Sequence, residues 1–287
     1  MPVVAVVNRK GGSGKSTLAT HLAAWCAITG RPVMLGDVDF QGSAAAWLKR
    51  RSAHPVALGR PIVGWSADPR RVMRPPAGVT HVVLDTPGGL RGLDLAKVVM
   101  TADALLIPVC HSVFDRESAA DCVAELRQLP RVASGRCRLG VVGMRLDART
   151  RAEEALREWA TGLELPFVGA LRETQVYVRC AEQGLTVFDM PPARAQADLD
   201  QWQPILDWLQ PVISAPARAA RDEADDEPPR IRPAAPAQAP RRPRFSPSTA
   251  QVPLDVLERP REPGGWWARL AAWLGHAPSR RRQLRDV

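Results

Sequence analysis

The sequence predicts an α/β domain with a doubly wound, mostly parallel sheet, followed by a disordered linker and a short C-terminal amphipathic helix. Three observations carry this prediction. Short continuous apolar runs recur through residues 1–214, stretches of helical length and period separate them, and the composition changes abruptly afterwards. Apolar runs of this length are the mark of strands buried on both faces, and parallel pairing requires a crossover, usually a helix, between consecutive strands.

The first run, VVAVVN (3–8), leads through a glycine-rich stretch into STLATHLAAWCAITG (16–30). There Leu18, Leu22, Trp25 and Ile28 recur at helical spacing, and Gly30 supplies a C-terminal stop. Further strands are predicted at PVMLGDVD (32–39), HVVLDT (81–86), ALLIPVC (104–110), LGVVGM (139–144) and PFVGAL (166–171). Helical patterns occupy 113–129 and 149–163, and ADLDQWQPILDWLQPVI (197–213) closes the domain, with Pro204 predicting a kink or a late start. Residues 215–263 pair a mixed-charge run, RDEADDEPPR, with a Pro-, Ala- and Arg-rich stretch. So few large apolar residues cannot offset the entropy of ordering, which predicts a disordered, partly polyproline linker with a reach of about 40 Å. Residues 264–287 form a separate unit: in GGWWARLAAWLGH (264–276), Trp266, Trp267, Leu270, Trp273 and Leu274 line one helical face, and a basic tail follows.

Composition narrows the classes of function. The 287-residue chain has a net charge of +9, which suggests a polyanionic partner such as nucleic acid or an acidic membrane surface. No apolar run approaches the length of a membrane span and no signal peptide is evident, so a soluble cytoplasmic protein is expected. The five cysteines (Cys26, Cys110, Cys122, Cys137, Cys180) show no CxxC or metal-type spacing and are expected to be reduced, buried thiols.

Lysine usage singles out one stretch. Only four lysines occur in the chain, against 39 Lys and Arg residues in all, yet Lys10 and Lys15 both fall within KGGSGKST (10–17). This stretch lies between a predicted strand and a predicted helix, the setting of a phosphate-binding loop: glycines let backbone N–H groups converge on phosphate oxygens, and a helix N-terminus favours the anion. In the GxxxxGK[ST] pattern Lys15 would reach the β- and γ-phosphates and Ser16 would ligate Mg²⁺. The strict pattern fails at one place, where Arg9 stands at the position of its first glycine.

What remains, K-G-G-x-G-K-[ST], resembles the deviant Walker A motif of the ParA/MinD family of ATPases. The resemblance covers about residues 1–213 and leaves out the tail. It implies an ATP- and Mg²⁺-dependent P-loop ATPase with a nucleotide-binding set of Lys10, Gly11, Gly12, Ser13, Gly14, Lys15, Ser16 and Thr17. By that resemblance Lys15 acts within its own subunit, Thr17 meets the α-phosphate, and Lys10 reaches the nucleotide of a partner subunit. A compact ammonium on a flexible stem suits a crowded triphosphate better than a planar guanidinium.

Such a loop needs acids to hold Mg²⁺ and to place the attacking water. Asp85, ending HVVLDTPGG, resembles the family's Walker B position, and Thr86–Gly89 then resembles its mobile, γ-phosphate-sensing loop. GDVDFQGSAAAW (36–47) is similar to the family's D-x-D-P-Q-x-N segment, which implies Asp39 near water or metal, Asp37 beside it and Gln41 in support. The metal set is thus Ser16, Asp39 and Asp85, and the catalytic set Lys10, Lys15 and Asp39. A reading of Asp37 and Asp85 as caps of the turns that follow them stays open. PVCHSVFDRESA (108–119) resembles a further family segment, in which Asp115 is expected to cap a helix and His111 to be a loop residue.

The resemblance also implies a sandwich homodimer formed with ATP, slow hydrolysis and an adaptor or activating protein. Two outputs stay open. A partition-type protein would position DNA or a protein assembly through nonspecific DNA binding, with Arg172, Arg179 and Arg194 as candidate phosphate contacts. A MinD-like or scaffold-type switch would act at a membrane or cell pole through residues 264–276, docking on lipid or on a partner protein; packing of this segment on its own domain, or no role for it, stays open as well. Association with nucleoid or pole follows accordingly.

Overall fold

The computed structural model describes residues 1–66, 75–147 and 149–214. The chain divides into two units, Met1–Pro229 and Arg230–Val287, and only the first contains described residues. The predicted linker (215–263) and the tryptophan-rich helix (264–287) lie outside them.

Among the described residues seven strands form one parallel sheet: β1 (Val3–Val6), β2 (Val33–Asp37), β3 (Ile62–Ser66), β4 (His81–Asp85), β5 (Ala104–Val109), β6 (Arg138–Leu146) and β7 (Phe167–Arg172), in the order β3-β2-β4-β1-β5-β6-β7. The crossovers carry α1 (Lys15–Ile28), α2 (Ser43–Ser52), α3 (Gly92–Thr101), α4 (Val113–Arg127), the single turn α5 (Pro130–Ala133) and α6 (Ala152–Gly162). Helices α7 (Gln175–Gln183) and α8 (Pro192–Ile213) follow the last strand.

The doubly wound arrangement is visible within β1 itself. Val4 and Val6 join one core with α1, α2 and α8, whereas Val3, Ala5 and, just past the strand, Val7 join a second core with α3, α4 and α6. A strand that presents alternate residues to two helical layers must be apolar at every position, which is why VVAVV carries no polar alternation.

All six predicted strands are present, within two residues at each end. The structure adds β3, which sequence reasoning missed. It lies at the sheet edge, half-exposed along most of its length and interrupted by Gly64, so it never forms a continuous apolar run. The last helix also corrects the expectation: it begins at Pro192 and runs through both Pro204 and Pro211. Pro204 and Asp200, whose carbonyl Pro204 leaves without a donor, both lie on the exposed side, where water can satisfy the acceptor.

Chain order reverses around β1, which pairs with β4 on one side and β5 on the other. The crevice beyond the carboxyl ends of strands at such a reversal is where open α/β sheets hold ligands. The register fixes what stands there. Val6 aligns with Asp85, and Asp85 with Asp37, so the phosphate loop leaves β1 beside two carboxylates on adjacent strand ends.

Candidate nucleotide site at the carboxyl edge of the sheet

Residues 7–14 connect β1 to α1, and several polar contacts set the loop. Asn8 Nδ2 donates to the Pro108 carbonyl at 2.6 Å, and Asn8 Oδ1 accepts from the Lys10 N–H at 3.1 Å. The Lys10 carbonyl accepts from both Ser13 Oγ (3.2 Å) and Lys15 Nζ (3.0 Å). Gly14 precedes α1 with φ of 94°, a conformation that demands glycine, and a Cβ there would stand 2.5 Å from Met144 Cε and displace the end of that side chain. No side chain caps α1, whose first backbone N–H groups therefore have no capping acceptor to meet and open toward the loop.

The loop gathers charge that the fold does not neutralise. Lys15 is buried, and burial pushes its ammonium below the usual lysine range, although Asp85 and Asp39 pull it back. Asp85 is fully buried, and neither carboxylate oxygen has a hydrogen-bond partner. Burial raises it to about 7; the nearby Ser16 hydroxyl and Lys15 oppose the shift, and Asp37 and Asp39 add to it. A buried carboxylate left without a partner costs stability unless something else occupies its oxygens. Beside Ser16 and a lysine, that something fits a hydrated Mg²⁺, which takes one or two carboxylates together with substrate phosphates.

Asp37 and Asp39 separate into two roles. Asp37 is buried and already engaged, accepting the Asp39 N–H at 3.0 Å and the Ala45 N–H at 2.8 Å. It anchors the β2–α2 turn, as the capping alternative expected. Asp39 is half-buried, accepts the Gln41 N–H at 3.0 Å, and acts on Lys15 through its charge. Gln41 itself is exposed.

On the other side, α4 holds the early part of the loop. Lys10 Nζ forms an ion pair of 2.6 Å with Asp115 Oδ1 within the same chain. Ser112 caps α4: its Oγ accepts the Asp115 N–H at 3.2 Å and donates to Asp115 Oδ2. Burial alone would raise the Asp115 carboxyl, but the bonds from Lys10 and Ser112 outweigh it and hold the group below its usual range. The expectation that Asp115 caps the helix is corrected: Ser112 is the cap, and Asp115, in the first turn of α4, holds the Ser112 hydroxyl and grips Lys10 instead. His111 is an exposed loop residue, as expected.

Beside the loop opens a cavity of about 660 Å³, lined among others by Gly14, Thr17, Met144, Arg145, Thr174 and Tyr177. It continues from the start of α1 toward the ends of β6 and β7, room for the nucleoside part of a ligand whose phosphates lie on the loop.

With this geometry in place, comparison with known proteins decides the family. Residues 4–187, well over half of the chain, match the CobQ/CobB/MinD/ParA nucleotide binding domain. The chain belongs to that family. It is 37% identical over 188 residues (64% of this chain, 83% of the relative) to the maintenance of carboxysome distribution protein A of Gloeobacter kilaueensis. Over 177 residues (51% of this chain, 70% of the relative) it is 29% identical to the chromosome-partitioning ATPase Soj of Thermus thermophilus. Its fold is similar to that of MinD in the MinC:MinD cell division protein complex of Aquifex aeolicus (TM-score 0.55, 19% identity, 72% of this chain and 96% of that one). The apo McdA structure from Cyanthece compares likewise (TM-score 0.56, 15% identity, 72% and 99%). Identities this low speak for the fold alone.

This ParA/MinD-type P-loop protein is an ATP-hydrolysing enzyme. Among its described residues no helix is long and apolar enough to cross a membrane, and all five cysteines are buried, none of them in a disulfide. Of the three arginines considered for DNA, Arg172 is committed elsewhere: its guanidinium pairs with both oxygens of the buried Asp198 at 2.8 and 3.0 Å. Arg179 and Arg194 are exposed. Sequence reasoning missed Asn8 and Ser112, and both had a local signal: Asn8 is a polar residue closing an apolar strand directly before the loop, and Ser112 is a hydroxyl residue directly before a predicted helix.

Proposed function

We propose that this ATPase is a nucleotide-dependent switch that forms a face-to-face dimer with ATP and positions a protein assembly. Dimer formation is carried by one observation. Phe40, Leu93, Val113 and Phe114 stand 88%, 81%, 48% and 71% exposed, all just beyond the carboxyl ends of β2, β4 and β5, around the phosphate loop. Large apolar side chains ringing a polar site on one face suit burial against a second copy.

In this reading Lys15 binds the β- and γ-phosphates, Thr17 the α-phosphate and Ser16 the Mg²⁺, with Asp85 in the metal's outer shell and Asp39 near the attacking water. Mg²⁺, when bound, neutralises charge developing on the transferred phosphoryl group. Lys10 leaves Asp115 to meet the partner's nucleotide. Support for a protein cargo comes from the 37%-identical relative, whose name describes carboxysome distribution.

A second reading, in which the dimer rides on duplex DNA, rests on the +9 charge and the exposed Arg179 and Arg194. Mass measurement by light scattering, with ATP and with ADP, tests the switch: a dimer only with ATP, lost in Lys10→Ala, is expected, and a nucleotide-independent mass would refute it. Binding of nonspecific duplex at near-physiological salt separates the readings. ATP-dependent binding favours the second and its absence the first. The membrane or pole surface considered for residues 264–276 concerns a segment outside the described residues.

A further inference from the structure

We propose that Arg9 and Glu125 are positioning residues for hydrolysis, joining the phosphate loop to the loop after Asp85 through a closed ring of contacts. Arg9 stands where the general phosphate-loop pattern has a glycine, and it grips the following loop twice. Its backbone carbonyl accepts the Gly89 N–H at 2.6 Å. Its guanidinium pairs with Glu125 Oε2 on α4, with Asp121 at 3.7 Å as a weaker second partner. The other carboxylate oxygen of Glu125, Oε1, accepts the Gly92 N–H at 2.6 Å. Gly89 and Gly92 are thus pinned, one directly and one through Glu125, by a single residue of the phosphate loop.

The pinned segment is shaped for this. Gly89 and Gly92 have φ of 78° and 56°, the left-handed region, and Leu90 between them is buried. Upstream, Thr86 Oγ1 donates to the Val6 carbonyl at 2.7 Å, and a Cβ on Gly88 would lie 3.3 Å from Gly11. Pro87 and Gly88 are therefore held against the glycines of the phosphate loop by anchors on both sides. The Arg9–Glu125 pair crosses 116 positions of sequence, whereas each residue is free of the nucleotide contacts assigned above. Its role is to keep the loop after Asp85 where the phosphates and the metal's water arrive, not to touch them. The effect on rate rests on the reading of Asp85 as a catalytic-edge acid; the tether itself does not.

Amide hydrogen exchange of the nucleotide-free full chain tests the tether. In Glu125→Ala, and less so in Arg9→Ala, the Gly92 amide should exchange about tenfold faster, with α1, β1 and Gly89, whose acceptor is the Arg9 backbone carbonyl that both variants keep, unchanged. Steady-state kinetics test the consequence: kcat for ATP should fall about tenfold while KM stays within about twofold, because misplacement of a loop costs rate before it costs affinity. Glu125→Gln, which keeps an acceptor for Gly92, and Arg9→Lys should recover part of both effects. The double alanine variant should be no slower than the slower single one. These conservative variants keep the test valid where an alanine variant misfolds.

Unchanged exchange at Gly92 would overturn the tether. Faster exchange with wild-type kcat would overturn the positioning role. Should Asp85→Ala retain full turnover, the site reading would fail and the rate-setting role with it, while exchange would still decide the tether.

Discussion

Two buried aspartates, Asp85 and Asp189, show how one residue type serves opposite ends. Asp189 lies behind α1, in the short helical turn Val187–Asp189, and is paired on every side. Arg51 donates to both of its oxygens at 2.8 and 2.9 Å, and Thr186 adds its N–H and hydroxyl at 2.8 and 2.7 Å. Burial pushes its carboxyl upward, but Arg51 and Thr186 more than reverse this. Asp85 is equally buried, has no partner for either oxygen and is pushed up to about 7. Asp189 joins α2 to the segment before α8, and the fold satisfies it. Asp85 is left for a ligand to satisfy, at a cost in stability that functional sites commonly carry.

Substitutions at each end should break the comparison in different observables. The largest effect is expected at the nucleotide: Lys15→Ala should lower turnover roughly 10³-fold, and Asp85→Asn on the order of 100-fold. Asp85→Asn should nonetheless melt no lower than wild type, since it removes a charge that burial disfavours; a clear loss of stability in a urea titration would show Asp85 to be structural. The reverse holds for Asp189→Ala. It strands Arg51, whose side chain is 1% exposed, and should cost about 3–5 kcal/mol by the same titration. An effect below 1 kcal/mol would mean that water reaches the site.

A smaller effect concerns His21, which sits between the two ends. Its ring nitrogens meet the Thr17 carbonyl at 2.8 Å and the Val187 N–H at 3.4 Å, the neutral tautomer with its proton on Nδ1, and it stacks on Trp202 with ring centroids 5.3 Å apart. Burial lowers it from 6.5 to about 4. The folded state therefore binds fewer protons than the unfolded state between these values. The stability contribution is intact above pH 6.5 and is lost as pH falls toward 4, by about 3 kcal/mol in all. Denaturant midpoints across this range should show a slope that His21→Phe flattens; an unchanged slope would assign it to other groups. The smallest effect is at the α4 cap, where Ser112→Ala should cost about 1 kcal/mol. The change leaves Lys10 itself intact and able to leave Asp115, so ATP-dependent dimerisation measured by light scattering should persist.

Much of the site was legible because phosphate recognition is local. A loop that wraps a phosphate with consecutive N–H groups must be contiguous, so KGGSGKST stands out between a strand pattern and a helix pattern. Asp85 and Asp37 were legible as acids ending apolar runs. Their difference was not: both end strands in the same register, yet Asp37 captures the Asp39 and Ala45 N–H groups and Asp85 captures none. Likewise Arg172 looked like any surface arginine until α8 placed Asp198 against it. The edge strand β3 escaped because half-exposed residues at a sheet edge have no need to be continuously apolar.

The sequence by itself determined the α/β alternation, the place of the phosphate loop and the acids beside it, because periodicity and loop chemistry are written over a few neighbouring residues. Only the tertiary structure decided which charges are paired. Arg9 with Glu125, Lys10 with Asp115 and Arg51 with Asp189 meet across more than a hundred positions of chain. Burial and partnership depend on which elements pack together, and it is these, not residue type, that set one aspartate to hold the fold and another to wait for a metal.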